Sequence, residues 1–160
     1  MKKLKSIKSL KNKAERLWKD VCYRRDGKEC VVRKNFPEIR IRHTQILQVD
    51  HYIGRSNKHL FLEPSNGTVV CNSCNQAKHY DRLGVREAIR QIVINREGQD
   101  IVNRMVALAQ TQTANADFSK RWWLEGQIEK LGKHADSYRK GKKHENEREK
   151  TSKNKRPMGL

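Results

Sequence analysis

The chain lacks any apolar run approaching the roughly 20 residues that a bilayer-spanning helix needs, so nothing in it reads as a transmembrane segment. Its first stretch, MKKLKSIKSLKNK, is basic but has no apolar core of the kind a secretory signal requires. The expectation is a cytoplasmic protein, whose four cysteines stay reduced and serve as metal ligands rather than disulfides. Apolar residues are also scarce, at 35%, which predicts a modest core that a bound metal would help to hold together. Acidic residues are scarcer still: 18 Asp plus Glu stand against 36 Lys plus Arg, for a net charge of +18. So large a surplus repels itself unless it meets a polyanion, and nucleic acid is the commonest one. A membrane surface fits less well, because the basic stretches carry no long apolar face.

Periodicity sets out the elements. Ile7, Leu10, Ala14, Leu17, Trp18 and Val21 fall at helical spacing with lysines opposite, and Asp26-Gly27 ends that helix. Residues 39–53 (IRIRHTQILQVDHYI) are rich in β-branched types and alternate at Ile39-Arg40-Ile41-Arg42, which predicts extended or hairpin structure. A polar loop with Pro64 and Asn66-Gly67 leads to a short strand at Thr68-Val69-Val70, and a helix is expected from Asn72 or Ser73. Helices are predicted at about 85–96, 99–110 and 118–132, with a polar linker at 111–117. The end of the chain is rich in Lys and Arg and poor in aliphatic residues, which predicts a disordered basic tail.

Near the middle lie Asp50-His51, then Asn66, then Cys71-Asn-Ser-Cys74-Asn75, with His79 beyond. Asn75 and His79 are four apart, which puts both on one side of a helix. Asp50 and His51 are adjacent, so on a strand they face opposite ways, and a local distortion would be needed for both to serve one site. The residue types suit phosphodiester hydrolysis. A histidine titrating near neutrality takes a proton from water, and a divalent cation neutralises charge on the phosphate. Oxygen ligands such as Asp50 and the Asn75 carboxamide suit Mg²⁺ or Mn²⁺, while an imidazole admits softer metals.

The run VDHYIG, a loop, and NGTVVCNSCNQAKH together resemble the HNH nucleases. The resemblance implies an α+β fold with a ββα-metal (His-Me finger) core, in which a hairpin and a helix grip one cation. It implies His51 as the general base, Asn66 as the residue that braces the loop and orients the base, and Asp50, Asn75 and His79 as metal ligands. The third motif position falls on Asn75, which makes the chain an H-N-N variant. It further implies one catalytic Mg²⁺ or Mn²⁺ and a cut leaving a 5′-phosphate and a 3′-hydroxyl. A longer stretch is similar to the phage NinG/Rap recombination endonucleases. It comprises the Lys-rich first helix, CNQAK, Val85–Gln99 with its REGQD, and a tryptophan-bearing helix. That similarity implies branched DNA (junctions, flaps, D-loops) as the substrate and a host-cell cytoplasm as the setting.

Cys71-x-x-Cys74 is half of a zinc knuckle, and related nucleases supply the other half from a first C-x-x-C. Here that first pair is broken, with Cys30 present and Arg33 three places on. Three readings stay open: a structural zinc on Cys30, Cys71 and Cys74 with His43 or Cys22 as fourth ligand, no zinc, or a loosely closed site. The three cysteines are the favoured ligand set, with His43 as a weak fourth. Cys22 lies on an apolar helix face, where a buried thiol is the ordinary explanation.

Arg55, Lys58 and Lys78 are the residues expected to meet DNA phosphates, with sequence-independent attraction from the first helix and the tail. No base-reading helix is evident, so DNA shape is a more natural target than sequence. Trp122 and Trp123 are candidates to wedge into an opened junction, and because a tryptophan at helical spacing is more often core, at least one of them is expected to be buried. Four regions follow: a basic helix (1–24), the nuclease core (25–83), a helical extension (84–135) and the tail (136–160). A homodimer would suit two cuts across a symmetric junction. Two rivals remain, an HNH homing or restriction nuclease on linear duplex and a non-catalytic zinc-knuckle DNA-binding protein.

Overall fold

Ser6 begins the first helix: its Oγ accepts a hydrogen bond from the Ser9 amide at 3.2 Å, satisfying one of the donors a helix start leaves open. That helix, α1, spans Ile7–Asp26 and buries the stripe Leu10, Ala14, Trp18, Val21 and Cys22. Gly27 ends it at a φ of +84°, a backbone setting that favours glycine. The computed structural model describes residues 4–111, 118 and 120–153, with side chains as far as Arg139. Most of the linker expected at 111–117 and residues 154–160 of the tail therefore lie outside the described residues.

A short helix, α2 (Val31–Asn35), follows, and it buries Val31 and Val32. The segment 39–46 is a correction to the sequence reading, because it forms no strand. Ile39 and Ile41 pack onto the core while Arg40 and Arg42 stay exposed, so the alternation is real. The backbone, however, turns locally through Ile39 N to Phe36 O and Ile41 N to Ile39 O instead of pairing with a neighbouring strand. The hairpin is made by β1 (Leu47–His51) and β2 (Gly67–Cys71), antiparallel, with His51 opposite Gly67 and Asp50 opposite Thr68. A 3-10 turn over Pro64–Asn66 leads into β2. Helix α3 (Asn72–His79) leaves β2 at once, capped by Cys71, whose Sγ accepts from the Cys74 amide.

Helices α4 (Val85–Glu97) and α5 (Gln99–Gln110) match the sequence expectation closely, with the break at Gly98, where φ is +90°. The last helix, α6, departs from it, running over Arg121–Lys153 where a stop near 132 and a disordered tail from 136 were expected. Leu131, Ala135 and Tyr138 pack against the α1 side of the molecule, which gives the helix a buried stripe past the expected end.

The hairpin lies between two apolar clusters. On one side Val70, Cys71 and Cys74 join α2, α4 and α5; on the other Val69 joins α1, Phe61, Leu62 and α6. Val69 and Val70 thus serve opposite cores, as the alternation of side chains along a strand provides. No described helix is long and apolar enough to cross a membrane.

Candidate active site and metal centre

A cleft of about 440 Å³ runs along the outer edge of β1. All five β1 residues line it and no β2 residue does; α1 adds Glu15, Trp18 and Lys19, and α3 adds Asn75, Lys78 and His79. This arrangement brings Asp50 and His51 to one site without a distortion. The sheet has two strands, so β1 has a free edge, and a cleft along that edge meets side chains from both faces. The acid, the histidine, the asparagine and the second histidine picked out from the sequence therefore share one cavity.

His51 is buried, and its Nε2 lies 3.0 Å from the Phe61 carbonyl oxygen. A carbonyl only accepts, so Nε2 carries the hydrogen and Nδ1 keeps the lone pair. Burial pushes the His51 pKa below its ordinary value, against the opposing pull of the Phe61 hydrogen bond and the Asp50 charge. The ring is consequently neutral near pH 7 and able to accept a proton at Nδ1.

Asn66 does not line the cleft. Its side chain is fully buried behind it, with Oδ1 accepting from Ile53 N at 2.7 Å and Nδ2 donating to Ile53 O and Leu60 O, both at 3.0 Å. These bonds close the loop that carries Phe61, the partner of His51. The turn around Asn66 is itself clamped by two arginines that the sequence did not reveal. Arg25 donates to Pro64 O at 2.7 Å and Gly67 O at 2.6 Å, and Arg96 donates to Ser65 O at 2.8 Å and Gly67 O at 3.1 Å. Asp26 and Glu97 balance their charge, and Asp26 also accepts from the Val69 amide. Surface-like residue types 71 positions apart carry no sequence signal of such a contact.

Asn75 Oδ1 is buried and has no hydrogen-bond partner. A carboxamide oxygen left so in a cleft shared with Asp50 and exposed His79 fits a cation ligand, since most buried acceptors in folded proteins are matched; Thr68 Oγ1, the other unmatched buried atom among the described residues, does not line the cleft. Lys78 is a correction. Expected to meet DNA at the surface, it is buried, with Nζ donating to the Asp50 carboxylate and to His51 O at 2.8 Å. Its cationic head already satisfies the negative charge of Asp50, which is why it turns inwards. Arg55 stays exposed at the rim, bonded to Glu15 at 3.3 Å, and Lys58 holds its ammonium over the rings of Phe61 and Phe118. Trp122 is 62% exposed, while Trp123 is half-buried against Phe118.

The second centre lies at the far end of β2. Ligand atoms of Cys30, His43, Cys71 and Cys74 all fall within 4.8 Å of one another. Cys30 Sγ is 3.7 Å from Cys74 Sγ, and His43 Nδ1 is 3.5 Å from Cys71 Sγ and 3.4 Å from Cys74 Sγ. Ligand bonds of about 2.0–2.3 Å make tetrahedral edges of roughly 3.4–3.8 Å, so the set fits a tetrahedral thiolate–imidazole site. The hydrogen bond between Cys30 and Cys74 pushes the Cys30 pKa down. The place left by Arg33 is thus taken by His43. Cys22 is excluded, since it belongs to the other core and burial raises its thiol pKa to about 12.

Over residues 35–81 the chain matches the family model of the HNH endonucleases, a span that contains the cleft's strand, Asn66 and all of α3. The chain carries an HNH endonuclease domain there, and the protein is an enzyme, a nuclease that hydrolyses phosphodiester bonds with DNA as its substrate. Neither the curated proteins nor the solved structures yield a match to it.

Proposed function

We propose that the protein is a single-metal HNH endonuclease with a ββα-metal core, in which His51 is the general base and Asp50, Asn75 and His79 hold a Mg²⁺ or Mn²⁺ ion. The observation that carries this reading is the one cleft shared by all four residues, with the Asn75 carboxamide oxygen buried there unpaired. When bound, the cation would neutralise charge building on the scissile phosphate and on the leaving oxygen. His51 takes a proton from the attacking water at Nδ1, because Nε2 is committed to Phe61 O. Asn66 acts at a distance, closing the loop whose carbonyl fixes that tautomer. Arg55 and Lys58 at the rim meet the flanking phosphates. A structural Zn²⁺ on Cys30, His43, Cys71 and Cys74 joins α2, β2 and α3, and so fixes where the helix bearing Asn75 and His79 begins.

For the substrate, we read branched recombination intermediates of a phage or prophage, with a homodimer suited to paired cuts. Support comes from the sequence similarity to the NinG/Rap nucleases and from the exposed Trp122. Cleavage of linear duplex, flap and four-way junction DNA with Mg²⁺ or Mn²⁺ tests both levels. His51→Ala is expected to lose at least about 100-fold in rate on every substrate. A His51→Ala protein that cuts as fast as wild type would remove the base assignment. A clear preference for linear duplex would remove the recombination reading, and tight DNA binding without any metal-dependent cutting would favour a non-catalytic binder.

A further inference from the structure

The first helix was expected to serve as a basic arm, yet its buried face reaches the catalytic histidine. Trp18, fully buried, stacks on His51 with ring centroids 4.3 Å apart and planes 14° from parallel. Phe61 lies nearly parallel as well, 5.1 Å from His51 at 13°. The indole N–H of Trp18 donates to Glu63 O at 3.0 Å, in the same loop that offers Phe61 O to His51.

The seat for the indole is built by a glycine. Gly67 is the cross-strand partner of His51, and a Cβ there would come within 2.8 Å of Trp18 Cζ2 and overlap Cys22 Sγ. The missing side chain lets the indole lie across the pair and cover the imidazole face. Rotation of His51 about Cβ–Cγ would sweep its ring through the indole, so the stack blocks the turn that would break the bond from Nε2 to Phe61 O. Stacked rings at such a separation are a specific contact as well as buried area.

We propose that Trp18 is a positioning residue of the nuclease: it holds the His51 ring in its working orientation by stacking and pins the Phe61 loop through its indole N–H. The inference rests on the reading of His51 as the general base. It also makes α1 part of the active site, and not only a source of charge.

The test is single-turnover cleavage at saturating DNA and Mn²⁺ with Trp18→Leu and Trp18→Phe, each in wild-type and His51→Ala backgrounds, with DNA affinity measured in parallel. Trp18→Leu is expected to lower the rate by about 10- to 100-fold, with the DNA Kd unchanged within about threefold. Trp18→Phe keeps a stacking ring but loses the N–H, and should lose less. In the His51→Ala background neither substitution should change the residual rate by more than about twofold, since Trp18 acts through the ring that is gone. An equal fractional loss in both backgrounds would overturn the proposal, as would full activity in a folded Trp18→Leu protein.

Proton NMR supplies a readout independent of activity. The His51 ring protons should be shifted upfield by the indole face in the wild type, and should move downfield in either variant. Unshifted His51 protons in the wild type overturn the proposal even if Trp18→Leu does not fold. Should His51→Ala retain full activity, the base assignment fails, and the NMR shifts still decide whether Trp18 holds the ring.

Discussion

Asn66 meets Ile53 as one β-strand residue meets another: its side-chain Oδ1 accepts from Ile53 N at 2.7 Å, and its Nδ2 donates to Ile53 O at 3.0 Å. The carboxamide imitates a peptide group and closes a loop that no strand partner could close. Asn66→Ala leaves Ile53 N and Ile53 O unmatched, while Leu60 O keeps its bond from the Glu63 amide, at about 2–4 kcal/mol of stability. Asn66→Asp should be no better, because a carboxylate cannot donate to Ile53 O and Leu60 O. Denaturant midpoints at constant m-value measure both, and an Asn66→Ala protein as stable as wild type would show the loop closed by other means.

Gly67 packs closely against α1. Gly67→Ala places a methyl against Cys22 Sγ and the Trp18 ring, and should cost about 1–3 kcal/mol through overpacking. Cys22→Ala removes the nearer obstacle, so the double variant should recover part of the loss. Additive losses in a double-mutant cycle would mean that the two sites do not meet.

Lys78 bonds to Asp50 inside the cleft, so a cation reaching Asp50 must displace an ammonium. Lys78→Met leaves that carboxylate nearly buried and unpaired, and the metal-free protein should be less stable by about 3 kcal/mol. Added Mg²⁺ or Mn²⁺ should then raise the melting temperature more in Lys78→Met than in wild type, because binding to the folded state is no longer opposed. Equal shifts in the two proteins would place the cation away from Asp50.

The protein as purified should carry about one zinc per chain by elemental analysis, and Cys74→Ser about none, because that cysteine contacts both Cys30 and His43. Chelation should lower the melting temperature by several degrees or more, as three segments lose their common tie. Arg33→Cys should leave zinc content unchanged, since His43 already provides the fourth ligand atom. A chain free of zinc and indifferent to chelator would contradict the assignment.

Much of the α-helical framework was readable, because Leu10, Ala14, Trp18 and Val21, and then Val85, Ala88, Ile89 and Ile92, repeat at the period of a helix that buries one side. The alternation at Ile39–Arg42 misled, since it records burial on one side and says nothing of whether a hydrogen-bonding partner is present. The extent of α6 was missed for the converse reason: Ala135 and Tyr138 are ordinary residues until α1 is set beside them.

Local spacing by itself determined which residues close together in the chain share a helix side or a turn. Asn75 and His79 share a helix side because they are four apart, and Cys71 and Cys74 meet because a helix starts between them. What only the tertiary structure decided depends on contacts between distant segments. It set the choice of His43 as fourth member of the cysteine cluster, 28 positions from Cys71. It turned Lys78 inwards onto Asp50, and it laid Trp18 over His51. A sequence records the spacing of neighbours, but the identity of a through-space partner is set when the two cores close around the hairpin and leave each buried polar or aromatic group a single place to go.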